Sequence, residues 1–202
     1  MNKFKSFLMI FIIVFTVTII ILGILWKHKQ QSQKPKVVIQ KQVIYKTKYI
    51  KAKSIDPKRF AKWIYIHSYR CSKKQVDYYT KLLLQTKHPL LFAAMISRES
   101  SFNVAAVSKS GAIGLMQVLP SRKHISQLID AGIITEKRDL FSPETNIEAG
   151  AYIFADILSI NGNDINKTLL MYCGGNKQYV SDVLRNLGQL TIAVGFDRWN
   201  KL

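Results

Sequence analysis

From Asp56 onward the chain is divided by helix-start signals rather than by turn-flanked alternating runs. Asp56-Pro57 sets a capping carboxylate before a proline at the first helical position, where the missing N–H costs nothing. Pro89 and Ser142-Pro143-Glu144 mark further starts, and Ser121 follows Pro120 as another. Apolar residues then recur at spacings of three and four: Phe60, Trp63, Ile64 and Ile66-His67; Val76, Tyr79, Leu82 and Leu83, running toward Lys87; and Ile147, Ala151, Phe154, Ile157 and Leu158. Helices are expected as well from Pro89 to near Ser100, Ser121 to Leu128, Ile165 to Met171 and Tyr179 to Leu187. Clear alternating strands and internal repeats are absent from 56–202. The pattern predicts a compact, mainly α domain.

The N-terminus is a different material. Phe7 to Trp26 is a 20-residue run without a charge, long enough to cross a bilayer as a helix. Leu22-Gly23-Ile24-Leu25-Trp26 offers no small-residue cleavage site, and no cysteine stands near it for lipid attachment. The expectation is an uncleaved anchor in residues 1–30, a basic extended tether in 31–55 and a folded domain in 56–202. Stretched out, residues 31–53 reach ~70 Å.

The formal net charge is +18, unevenly spread: residues 27–62 hold twelve Lys or Arg against Asp56 alone. Such a stretch suits an anionic neighbour, or is simply a self-repelling stalk. No nucleic-acid module accompanies it, so no nucleic-acid partner is expected. The positive-inside rule would hold the C-terminal flank in the cytoplasm, although large domains translocate despite flanking charge. Cys71 and Cys173 are too few for a disulfide scaffold, and a bridge between them stays open. No His/Cys cluster has metal-ligand spacing, so neither metal nor cofactor is expected.

Chemistry concentrates in Ile96 to Gln117, ISRESSFNVAAVSKSGAIGLMQ. Glu99 ends an apolar helical segment, PLLFAAMISRES, and a small, polar loop leads on to GAIGLMQ. An apolar wall raises a carboxyl pKa, and the carbonyl end of a helix disfavours a nearby negative charge. A carboxyl so placed can still carry a proton near neutral pH. The same residue could instead be an exposed helix-end carboxylate or a partner of Arg98.

The run ESSFN, then Ser108, then GAIGLMQVLPS, with LFSPETNIEAGAYIF and MYCGG downstream, resembles the soluble lytic transglycosylase family. The likeness covers about residues 58–190, with four blocks in the family's order. It implies a lysozyme-like fold behind the anchor and tether, and cleavage of peptidoglycan glycan strands. The expected location follows: a single-pass cytoplasmic (inner) membrane protein with its catalytic domain on the periplasmic side. Peptidoglycan, that membrane and cell-envelope machinery are the partner classes implied.

Glu99 matches the family's catalytic acid/base. On that resemblance it protonates the oxygen between N-acetylmuramic acid and N-acetylglucosamine, then takes a proton from the C6 hydroxyl of the muramic sugar. A 1,6-anhydro end results without water. Ser108 matches a serine that hydrogen-bonds the carboxylate, Met116 and Gln117 a sugar-contacting pair, and Tyr172 a tyrosine that orients Glu99 or the acetamido group. Gly111 and Gly114 supply tight backbone and room beside the saccharide. Asn146 and Gly150, four apart on one helix face, match a packing element behind the cleft. Cys173 departs from the family's usual Asn. Two alternatives remain: a goose-type lysozyme-like hydrolase using water, and a non-catalytic peptidoglycan-binding or assembly protein.

Overall fold

The computed structural model describes residues 55–195; the expected anchor and nearly all of the tether lie outside them. Seven α-helices follow in order: α1 Pro57–His67, α2 Lys73–Leu84, α3 Pro89–Glu99, α4 Arg122–Asp130, α5 Pro143–Ile160, α6 Ile165–Tyr172 and α7 Lys177–Gly195. A 3-10 turn, Lys137–Phe141, precedes α5 and was not expected from the sequence. The last helix runs about two turns beyond Leu187. Among the described residues no helix is long and apolar enough to cross a membrane.

The starts follow the capping chemistry. Asp56, Ser121 and Ser142 accept from backbone N–H groups of the first turn. Ser72 and Gln75 form a reciprocal capping box at α2, and Asp164 caps α6. These bonds satisfy donors that helix geometry leaves unpaired.

The centre is α3. Pro89 through Ile96 are all buried, so this helix is apolar on every side and must be wrapped by others. It packs along α7, with α1 and α2 also against it, while α5 carries α4, α6 and the 3-10 turn. Burying an Ile or Leu of this kind contributes about 1.5–3 kcal/mol. Ile55, the first described residue, is buried.

The helix ends abruptly. Ser101 and Phe102 both adopt positive φ, at 50° and 62°, a region costly for side chains with a Cβ. The reversal drives Phe102 back into the core, stacked on Tyr79 at 6.2 Å between ring centroids. Glu99 is thereby left at the surface of the apolar bundle. The following loop is closed by two isolated β-bridges, Val107 to Ile113 and Ile113 to Val118.

Asn146 fastens this loop. Fully buried, its Oδ1 accepts from Met116 N at 2.8 Å, and its Nδ2 donates to Ile113 O at 2.9 Å and Leu140 O at 2.7 Å. Gly114, at φ +76°, lies against that amide, and a Cβ there would sit 2.8 Å from Leu140 O. Its smallness therefore makes room for Asn146 rather than for a saccharide. A Cβ on Gly150 would meet Met116 Sδ at 2.5 Å.

Asn146→Ala should cost on the order of 3–5 kcal/mol, because three buried backbone groups lose their partner. Gly150→Ala should cost about 1–3 kcal/mol through overpacking. Chemical denaturation followed by circular dichroism measures both; a loss under about 1 kcal/mol for Asn146→Ala would refute the fastening role.

Candidate active site

The end of α3 opens into a cleft of about 580 Å³. Arg98 and Glu99 form one wall, Ser108, Gln117 and Leu119 of the loop another, and Lys123 and His124 come from α4. Ile153, Asp156, Ile157 and Ile160 of α5 face them, and Tyr172, Cys173 and Tyr179 close the remaining side. Leu119, Ile160 and Met171 are exposed apolar side chains within this lining.

Glu99 is held by its neighbours' backbone. Ser100 Oγ donates to Leu115 O at 2.8 Å, tying the helix end to the GAIGLMQ loop, and Tyr69 N donates to Ser101 O at 2.8 Å. Burial pushes the Glu99 carboxyl up to about 7; Tyr179 and the Arg98 charge pull the other way and lose. The cause is desolvation, which penalises the charged form. Asp156 lines the same cleft but is not among the groups that shift Glu99.

Arg98 does not pair with Glu99. Its Nε donates to Asp182 Oδ2 at 3.0 Å, and its guanidinium stands 5.9 Å from the centroid of the Tyr179 ring. Asp182 also accepts from Arg185 at 2.8 Å and Gln178 at 3.0 Å. Burial opposes ionisation of Asp182, but these three donors outweigh it and hold the carboxyl below its usual range. α7 thus turns aside the cation that stands next to Glu99 in the sequence.

Four of the five site residues read from sequence line the cleft together: Glu99, Ser108, Gln117 and Tyr172. Met116 does not. Its side chain is fully buried against Gly150, because the loop turns at Gln117 (φ 49°) and drives Met116 inward. Ser108 is not bonded to Glu99: its Oγ accepts from Ala112 N at 3.0 Å and shares a bond with Ser110 Oγ at 2.9 Å. That hydroxyl braces the loop. Gln117 Nε2 donates to Ala106 O at 3.2 Å and Gly114 O at 3.0 Å, leaving its Oε1 as the amide's acceptor. Tyr172 donates to Met116 O at 2.9 Å, so its hydroxyl is committed to the loop rather than to Glu99.

The tyrosine that faces the acid is Tyr179. Its hydroxyl is buried and makes no bond of full hydrogen-bond geometry among the described residues. It is nonetheless close enough to Glu99 to favour the ionised carboxylate, and burial together with that charge pushes its own pKa up. The two groups are near but imperfectly aligned. Tyr179 and Asp182 escape sequence reading because Tyr179 shares an apolar stripe with Val183, Leu187 and Leu190, all buried core positions. Cys71 and Cys173 are free thiols, the first donating to Phe102 O and the second lining the cleft. His67 stacks on Trp63 and His88 packs edge-on against both Phe92 and Phe154, while His124 reaches the cleft. No three His, Cys, Asp or Glu side chains converge as metal ligands among the described residues.

Comparison with known proteins places this geometry in a family. The transglycosylase of Enterobacteria phage PRD1 is 32% identical over 111 residues, covering 50% of this chain and 38% of the relative. The membrane-bound lytic murein transglycosylase C of Yersinia pestis (strain Pestoides F) is 44% identical over 66 residues, 31% of this chain and 18% of the relative. This chain therefore matches well under two thirds of either relative's length. The crystal structure of the 70 kDa soluble lytic transglycosylase from Escherichia coli overlays 68% of this chain and 25% of its own, with a TM-score of 0.46 and 20% identity. The family model described as Transglycosylase SLT domain matches residues 83–190, more than half of the sequence and all of the cleft, so the chain belongs to that family.

Proposed function

We propose that the protein is a membrane-anchored lytic transglycosylase acting on peptidoglycan, with Glu99 as its acid and base. The observation that carries this reading is the Glu99 carboxyl, pushed up to about 7 by burial at the head of an open cleft. A group with that pKa is present in both protonation states near neutrality, as one residue serving first as acid and then as base requires.

In this reading a glycan strand lies in the cleft with pyranose faces against Leu119, Ile160 and Met171. Glu99 gives its proton to the glycosidic oxygen between N-acetylmuramic acid and N-acetylglucosamine, and that bond breaks. The resulting carboxylate accepts the proton of the muramic C6 hydroxyl, whose oxygen bonds to the anomeric carbon. The product is a 1,6-anhydro end, and no water is consumed. A tethered hydroxyl has a high effective concentration, which makes the internal route competitive. Tyr179, buried and without a full bond, supplies a donor for the carboxylate stage. The uncharged run Phe7 to Trp26 supports the anchor, and the basic tether sets reach from an inner-membrane site to the wall. The hydrolytic alternative differs only in using water as acceptor; reducible rather than anhydro ends would identify it.

Glu99→Gln should abolish release of anhydro-muropeptides from purified sacculi, a loss of at least about a hundredfold, with the fold intact. Digestion at the parent rate would overturn the assignment. The variant also has a stability signature. Because the folded pKa lies above the unfolded value, the native state holds a proton that the unfolded state has released between about pH 4.5 and 7, and stability falls as pH rises through that window. Glu99→Gln should therefore match the parent near pH 4 and exceed it at pH 8 by up to about 3 kcal/mol.

Asp182→Asn should free Arg98 to approach Glu99. A nearby cation favours the carboxylate, so the alkaline limb of the pH–rate profile should move to lower pH by roughly half a unit or more. An unchanged profile would show that Arg98 needs no restraint.

A further inference from the structure

We propose that the α1 face of the domain is a docking surface for an anionic lipid bilayer. The charge distribution among the described residues is the first observation. Residues 55–87, which form α1, α2 and their flanking turns, hold eight Lys or Arg against Asp56 and Asp77. Residues 88–195, which build the cleft, hold nine basic and nine acidic side chains. The excess positive charge of the folded part is therefore confined to its first two helices.

The second observation is what stands between those charges. Lys58, Lys62 and Tyr65 follow one another on α1 at spacings of four and three, a single helical stripe with Ile66 beside it, and Tyr69 comes just past the Ser68 cap. Tyr65, Ile66 and Tyr69 are 60%, 65% and 59% exposed, three large apolar side chains at the end of α1 and just beyond it. Phe60, Trp63 and Ile64, on the opposite side, are buried, so the outer stripe is not needed for folding. Amphipathic rings and aliphatic tips interspersed with lysine are the composition that settles at a headgroup boundary.

The end of this surface is tied to the rest of the fold. Ser68 bonds back to Tyr65 O to end the helix, Arg70 sits at φ 57°, and its guanidinium lies 4.9 Å from the Tyr69 ring centroid. Tyr69 N is bonded to Ser101 O, two residues beyond Glu99. A bilayer held at Tyr69 is thus connected by one hydrogen bond to the turn that places the acid.

Charge complementarity selects an anionic surface, and exposed tyrosine and isoleucine tips set among lysines suit a headgroup boundary. Position selects it again, since α1 is the first helix after the basic stretch that leads back to Phe7–Trp26. Each basic side chain near an anionic membrane strengthens attachment about fivefold, and added salt weakens it. The surface does not depend on the transglycosylase reading. Docking would fix the orientation of the cleft relative to the membrane.

The test is hydrogen exchange of the full chain with nanodiscs of purely zwitterionic lipid and with nanodiscs containing anionic lipid, read at residues 57–70. Backbone exchange there should slow at least threefold in the anionic discs only, and the difference should shrink in 0.5 M salt. The triple variant Tyr65→Ser, Ile66→Ser, Tyr69→Ser should lose the protection while exchange in α3 and α7 stays at the parent level, which separates docking from misfolding. Equal exchange in the two lipids, whether or not Phe7–Trp26 inserts, would overturn the proposal. So would protection by purified sacculi in the absence of protection by anionic discs, which would assign the face to wall polymer.

Discussion

One constraint organises the domain: a helix apolar on every side ends on an acidic residue. Pro89 to Ile96 can be satisfied only by surrounding helices, and the surrounding helices remove water from whatever stands at the exit. Glu99 stands there. Its raised pKa is not an added device but a consequence of packing α3 along α7 and against α1 and α2. The positive-φ pair Ser101 and Phe102 stops the helix on that residue and turns the chain into the cleft wall.

The loop opposite is held by a second constraint of the same kind. Asn146 brings an amide into the core, where an unpaired amide is costly, and its bonds join Ile113 and Met116 of the loop to Leu140 of the 3-10 turn. Gly114 and Gly150 are small because Asn146 and Met116 occupy the space their side chains would need. Tyr172 then closes the circuit by bonding Met116 O from α6. The wall is thus positioned from behind by Asn146 and from within the lining by Tyr172. Arg98 shows the complementary tactic, since a cation next to the acid is tolerated only because Asp182 faces it away.

Much of this was legible in the sequence, for local reasons. Helix starts at Asp56, Ser121 and Ser142 announce themselves through side chains that bond their own first turn, and Glu99 is conspicuous as an acid closing an apolar run. What escaped depends on tertiary direction. Met116 and Gln117 are adjacent, and only the backbone turn at Gln117 decides that one is core and the other cleft. The Ser108 hydroxyl could have bonded the acid or its own loop, and spacing alone does not choose. Tyr179 carries the same signature as a core residue and differs only in having Glu99 across from its hydroxyl. Asp182, on an ordinary helical surface, becomes informative once Arg98 is seen to reach it from another helix.

The account rests on Glu99 holding its proton far above the ordinary carboxylate range while facing an open cleft. The most direct measurement is a carbon-13 NMR titration of the Glu99 side-chain carboxyl in the full chain, assigned against Glu99→Gln. A midpoint near pH 7 is predicted, and a midpoint near 4.5 would contradict the account.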